Sequence, residues 1–241
     1  MEDKQQLQGF DSGCMMMSDK NLNQFTSSEN VLNTDERVND DKYLVIVLFG
    51  VCGCGKSTIG EALTQYLNEC GGECCFLEGD KFHSKSNVEK MAKGIPLNDQ
   101  DRRPWLLAIH LQIMNEIKHS NRKIVVVSCS ALKNIYRELL VLGDAQLCEN
   151  EEELLDKPIQ HNVNLDINWL FVNLSISQNE AQDRLENRSA HFMNSSLIPS
   201  QFETLELTIN PTIKNAKLVV VDNQEKDVAS VVQQIIQLTK Q

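Results

Sequence analysis

Gly50-Val51-Cys52-Gly53-Cys54-Gly55-Lys56-Ser57 constrains this chain more than any other stretch. It matches G-x-x-x-x-G-K-[ST] and stands between a seven-residue apolar run and a helix-like segment, the setting in which that pattern forms a phosphate-binding P-loop. Glycines let backbone N–H groups curl around a phosphate chain, and a helix N-terminus adds partial positive charge. A lysine at the place of Lys56 reaches the β- and γ-phosphates, and a hydroxyl at the place of Ser57 ligates Mg²⁺. Gly50, Val51, Cys52, Gly53, Cys54, Gly55, Lys56, Ser57 and Thr58 are therefore the expected nucleotide-binding residues, with ATP and Mg²⁺ as the expected cofactors.

The rest of the chain supplies the frame such a loop needs. Tyr43–Phe49 is continuously apolar, as in a strand buried on both faces. Similar runs recur at Cys74–Leu77, Ile124–Val127, Trp169–Leu174 and Leu218–Val221. Helical patterns fall between and after them at Ser57–Cys70, Asn87–Lys93, Arg102–His119, Asn134–Leu142, Ser177–Asn187 and Lys226–Thr239. Alternation of this kind predicts an α/β fold with a doubly wound parallel sheet. Residues 1–42, rich in Asp, Asn, Gln and Ser and without sustained periodicity, read as a disordered acidic tail. Residues 43–241 read as one domain, interrupted by an exposed acidic insertion at 144–168.

Charge sharpens this division. The 241 residues carry 34 acids and 23 bases, a net −11, which argues against nucleic acid as a main partner. Residues 1–42 hold nine acids and four bases, and residues 144–168 hold seven and one, so the whole excess lies in these two segments. Residues 43–143, with twelve bases and ten acids, are slightly positive. No apolar run exceeds seven residues, against roughly 20 for a bilayer span, and the first residues lack the basic and apolar regions of an export signal. The expectation is a cytoplasmic chain whose eight cysteines are free thiols, with neither the paired Cys-x-x-Cys spacing nor the Cys/His grid of a zinc site.

Among P-loop proteins, a switch GTPase requires Asp-x-x-Gly and Asn-Lys-x-Asp, and neither occurs. Large remodelling ATPases need more chain than one domain. A small-molecule kinase remains.

Six segments carry a more specific resemblance. Gly50–Thr58, Gly79-Asp80-Lys81-Phe82-His83, residues 90–99, Asp101-Arg102-Arg103-Pro104-Trp105-Leu106, residues 129–137, and His191-Phe192-Met193 followed by residues 200–206 resemble, in order, the gluconokinases of the P-loop kinase superfamily. The resemblance implies a P-loop kinase fold, with a five-stranded parallel sheet flanked by helices and a mobile lid. It implies transfer of the ATP γ-phosphoryl to D-gluconate, giving 6-phosphogluconate for the pentose phosphate pathway, and it is compatible with a homodimer. Two alternatives stand beside it: another P-loop kinase of a small anionic metabolite such as shikimate, or a catalytically inactive nucleotide-binding protein.

Residue by residue, the resemblance places Asp80 at the end of the second strand, where it orients the acceptor hydroxyl and shares the Mg²⁺ shell through water. His83 matches a histidine that helps hold the sugar acid, and Arg102 an arginine that faces the substrate. A gluconate carboxylate calls for such a cation. Lys133 and Arg137, one helical turn apart after the third strand, are expected to converge on the same anion. Arg188 precedes the lid and would neutralise charge on the transferred phosphoryl, although Ser189 and Ala190 replace the residues usual in the family. The strand ending Val221-Asp222 imitates a Walker B strand, but its counterpart in related kinases lies nearer the adenine than the metal. Cys52 and Cys54 replace the usual serines; they read either as small loop residues that leave the backbone N–H groups free for phosphate, or as thiols that a positive helix end makes easier to ionise and that sensitise the loop to oxidation.

Overall fold

In the computed structural model, the described residues are 42–120, 122–143, 165–187, 195–211 and 213–239. The expectations for the 1–42 tail (save Lys42), for residues 144–164 of the insertion and for the lid at 188–194, Arg188 included, lie outside them. Five strands, β1 (Lys42–Phe49), β2 (Cys74–Glu78), β3 (Ile124–Ser128), β4 (Asp166–Ser175) and β5 (Ala216–Asp222), form one parallel sheet in the order β2-β3-β1-β4-β5. The register runs Leu44 beside Ile124, Cys74 beside Ile124, and Trp169 beside Ala216.

Alternation along β1 builds two cores. Ile46 and Leu48 face one side of the sheet, packing with Ile59 and Leu63 of α1 (Lys56–Glu69) and Val231 and Ile235 of α7 (Val228–Thr239). Val45, Val47 and Phe49 face the other side, with Ile109 and Ile113 of α3 (Asp99–His119) and Leu140 of α4 (Asn134–Leu142). Helices on both faces leave the C-terminal edge of the strands as the place for a ligand.

Element boundaries depart from the sequence expectation at several places. α3 begins at Asp99 rather than Arg102, because Asn98 and Asp101 close a reciprocal capping box: Asn98 Oδ1 accepts from Asp101 N at 2.8 Å and Asp101 Oδ2 from Asn98 N at 3.1 Å. Lys42, expected in the tail, opens β1, and β4 starts at Asp166, so the strand takes up the last residues assigned to the insertion. α2 (Lys85–Ala92) starts two residues early, capped by the Ser84 side chain. α5 (Gln178–Glu186) falls where expected, whereas α6 (Ile198–Thr204) has no counterpart in the periodicity.

Candidate active site

The P-loop leaves β1 at Gly50 and enters α1 at Lys56. Three long-range bonds hold it. Asn223, just past β5, donates from Nδ2 to the Cys54 carbonyl at 2.7 Å. Gly50 N donates to the Ser130 carbonyl at 3.3 Å. Gln201 of α6 accepts from Cys52 N through Oε1 at 2.7 Å, a buried bond spanning 149 residues. Gly53 has φ +82°, and a Cβ there would lie 2.6 Å from the Ala181 carbonyl of α5, so this position accommodates only glycine without displacement. The Lys56 ammonium turns back to the Gly50 and Val51 carbonyls at 3.1 and 2.9 Å. Burial works against its charge, but the neighbouring Cys54, Cys52 and Asp80 outweigh that and raise its pKa above the ordinary lysine value.

Asp80 is set by the turn at the end of β2. Gly79–Phe82 forms a single 3-10 turn, clamped from two directions. Ser128 of β3 donates to the Glu78 carboxylate at 2.5 Å and accepts from Gly79 N at 3.3 Å, and the Trp105 indole N–H donates to the Gly79 carbonyl at 2.7 Å. The approach is so close that a Cβ on Gly79 would stand 2.2 Å from the Ser128 carbonyl oxygen. The result brings Asp80 into one cleft with Lys56, Ser57, His83, Arg102 and Gln201.

His83 stacks on Trp105, and its Nδ1 is buried with no hydrogen-bond partner among the described residues. Burial, aided by the Arg102 charge, lowers its pKa to about 4, so the ring is neutral at pH 7. Arg102 bonds the Leu97 carbonyl through Nε at 3.4 Å and lies 5.7 Å from the centre of the Tyr136 ring. It also borders an adjoining cleft lined by Asp99, Lys133 and Tyr136.

A third cleft opens on the other side of the P-loop, where Gly55 and Thr58 meet Arg184, Asn223 and Gln224. Arg184 is held by Glu180 one turn earlier and by the Asn223 carbonyl at 2.8 Å.

Comparisons with known proteins bear on the fold and the family. A family model described as adenylylsulphate kinase matches residues 42–138, the part that carries the P-loop and the Asp80 turn. A Dictyostelium discoideum protein named "Probable gluconokinase" is 36% identical over 206 residues, covering 84% of this chain and 90% of its own. This chain belongs to the gluconokinase family. A Gluconobacter oxydans gluconokinase is 40% identical over 162 residues, 67% of this chain and 75% of its own. The crystal structure of a gluconokinase from Sinorhizobium meliloti superposes with a TM-score of 0.53 at 35% identity, over 80% of this chain and 89% of that one.

Within this gluconokinase fold several residues sit where the sequence reading did not put them. Arg137 is fully buried, and its guanidinium donates to four backbone carbonyls: Ala131 at 2.6 Å, Leu132 at 3.2 Å, Glu206 at 2.9 Å and Thr208 at 2.6 Å. Its face covers the Phe49 ring. It ties α4 to the segment after α6 and cannot meet an anion in the cleft. Lys133 does not converge with it either: its ammonium pairs with the Asp99 carboxylate at 2.7 Å, beside the Tyr136 ring, at the rim of the adjoining cleft. Of the two readings of the P-loop thiols, easy ionisation fails at Cys52, whose pKa is raised because burial outweighs the Lys56 charge. Cys54 is buried in the core on the α1 side of the sheet. Asp222, which is not among the residues lining the Asp80 cleft, pairs with Lys226 at 3.0 Å.

Gln201 and Arg184 are among the contributors that the sequence reading leaves without a role. Gln201 belonged to a recognised segment but carried no assigned role. Arg184 lies in the last turn of α5, four residues after Glu180, a spacing that reads as a surface ion pair until the fold brings it to the P-loop.

Proposed function

We propose that the chain phosphorylates D-gluconate with ATP at the cleft between the P-loop and the Asp80 turn. The observation that carries this reading is the convergence, in one cleft, of a phosphate-binding loop with a carboxylate, a neutral histidine and an arginine. That is the set needed by a polyhydroxy acid approaching a γ-phosphate. Lys56 exchanges its bonds to the Gly50 and Val51 carbonyls for phosphate oxygens, and the N-terminus of α1 adds its N–H groups. The phosphate chain runs across the loop to the cleft of Gly55, Thr58, Arg184 and Asn223, which takes the nucleoside end.

Asp80 accepts a hydrogen bond from the terminal hydroxyl of gluconate and takes its proton as the phosphoryl transfers. His83, neutral and with an unpartnered Nδ1, is suited to a sugar hydroxyl rather than to a carboxylate. The carboxylate end falls to Arg102, with Lys133 at the rim of the adjoining cleft adding a second positive charge. In this reading Arg188 neutralises charge on the transferring phosphoryl.

Ser57 and Asp80 are hard oxygen donors on one cleft, the type of ligand Mg²⁺ takes. Among the described residues no group of three or more His, Cys, Asp or Glu side chains is arranged to hold a metal ion, so the ion would draw most of its shell from phosphate and water. When bound, Mg²⁺ neutralises charge on the β- and γ-phosphates. Among the described residues no helix is long and apolar enough to cross a membrane. The six described cysteines are free, which supports a reducing, cytoplasmic setting.

Asp80→Asn tests the assignment. It is expected to lower kcat for gluconate by about 100-fold or more while ATP affinity stays within a few-fold. Equal losses in transfer and ATP binding would remove Asp80 from the chemistry.

A further inference from the structure

Gln201 is more than nine-tenths buried and lines both the Asp80 cleft and the adjoining one. Its bond to the P-loop fixes the orientation of its amide. Cys52 N is a donor, so the group facing it at 2.7 Å is the carbonyl oxygen Oε1. With the oxygen committed to the loop, Nε2 is the polar atom that Gln201 has left for the cleft. Cys52 itself borders that cleft beside Lys56 and Asp80, so the amide sits one hydrogen bond away from a loop residue at the transfer end of the phosphate chain. The neighbouring Ser200 does not compete for this role, because its hydroxyl donates to the Leu197 carbonyl at 2.9 Å.

We propose that Gln201 is a specificity-determining residue whose Nε2 donates a hydrogen bond to the acceptor hydroxyl on the carbon next to the one phosphorylated. In gluconate that hydroxyl is on C5. The inference rests on gluconate being the acceptor. It assigns two functions to one amide: the oxygen sets the P-loop backbone at Cys52, and the nitrogen reads whether a polyol is in register with the loop. An acceptor with a bare methylene at that carbon leaves Nε2 desolvated without a partner, and this asymmetry gives discrimination.

The test crosses the protein with its substrate. Wild type and Gln201→Met are assayed with gluconate and with 5-deoxygluconate at saturating ATP and Mg²⁺. Wild type is expected to prefer gluconate by about tenfold or more in kcat/KM, and Gln201→Met to treat the two acceptors alike. Gln201→Glu, which keeps an oxygen for Cys52 N but loses the amide donor, is expected to lose the same preference and serves if the methionine variant does not fold. If the variants keep the wild-type preference while activity falls equally on both acceptors, Gln201 is structural and the proposal is overturned. If wild type phosphorylates neither aldonate, the gluconate reading itself falls, and this assignment with it.

Discussion

His83 lies flat against Trp105, with ring centroids 4.1 Å apart and planes 15° from parallel. The stack joins two supports of the site, because the same indole donates to the Gly79 carbonyl that precedes Asp80. It also covers one face of the half-buried imidazole.

That burial sets a pH dependence. The folded-state pKa of His83 is lowered to about 4 from an ordinary 6.5, so between these values the unfolded chain binds the proton and the folded chain does not. His83 therefore contributes to a loss of stability as pH falls from about 6.5 towards 4, and contributes no pH dependence above 7. NMR titration of the His83 ring is expected to give a midpoint well below 6. A midpoint at 6.5 or higher would place the ring in solvent.

Arg137 is predicted to be a residue of stability and not of substrate binding. Arg137→Met strands four carbonyls that share one guanidinium and should cost about 3 kcal/mol or more. KM for gluconate in the folded fraction should hold within about twofold. A large rise in KM without a loss in melting temperature would return Arg137 to the substrate.

Gly79→Ala should act on catalysis from outside the cleft. The added methyl meets the Ser128 carbonyl at 2.2 Å, and relieving that contact moves the turn that carries Asp80. A loss of about 1–3 kcal/mol in stability together with a lower kcat is expected. Unchanged kinetics would mean that the Glu78, Ser128 and Trp105 clamp does not position Asp80.

Cys52 should be slow to alkylate at neutral pH, since burial raises its pKa, and its labelling by iodoacetamide should accelerate only in alkaline solution. Mass spectrometry of the labelled protein reads this directly. Rapid labelling at pH 7 with ATP protection would restore the picture of an activated thiol.

Local chemistry made much of this site legible in the sequence. The P-loop announces itself because each glycine, the lysine and the serine are adjacent in the chain, and the Asp80 turn lies directly after a recognisable strand. What stayed hidden depends on contacts that cross the fold. Arg137 looks like a surface base on α4 until the segment at Glu206–Thr208 folds over it, about 70 residues away in sequence. Gln201 lies on a seven-residue helix too short to show periodicity, and its partner Cys52 is 149 residues distant. The start of α3 is hidden for a different reason: the Asn98 and Asp101 capping box is a variant of the usual Ser/Thr and Glu pattern, and it lies several residues before Trp105, the first buried apolar residue of the helix.

Phosphorylation of gluconate in the cleft of Lys56, Asp80, His83 and Arg102 is read by ADP release from a panel of acceptors. Purified protein with ATP and Mg²⁺ is given gluconate, shikimate, glycerate, adenylylsulphate or nucleoside monophosphates in parallel. The highest kcat/KM is expected with gluconate, and faster turnover of any other acceptor would assign the cleft to a different substrate.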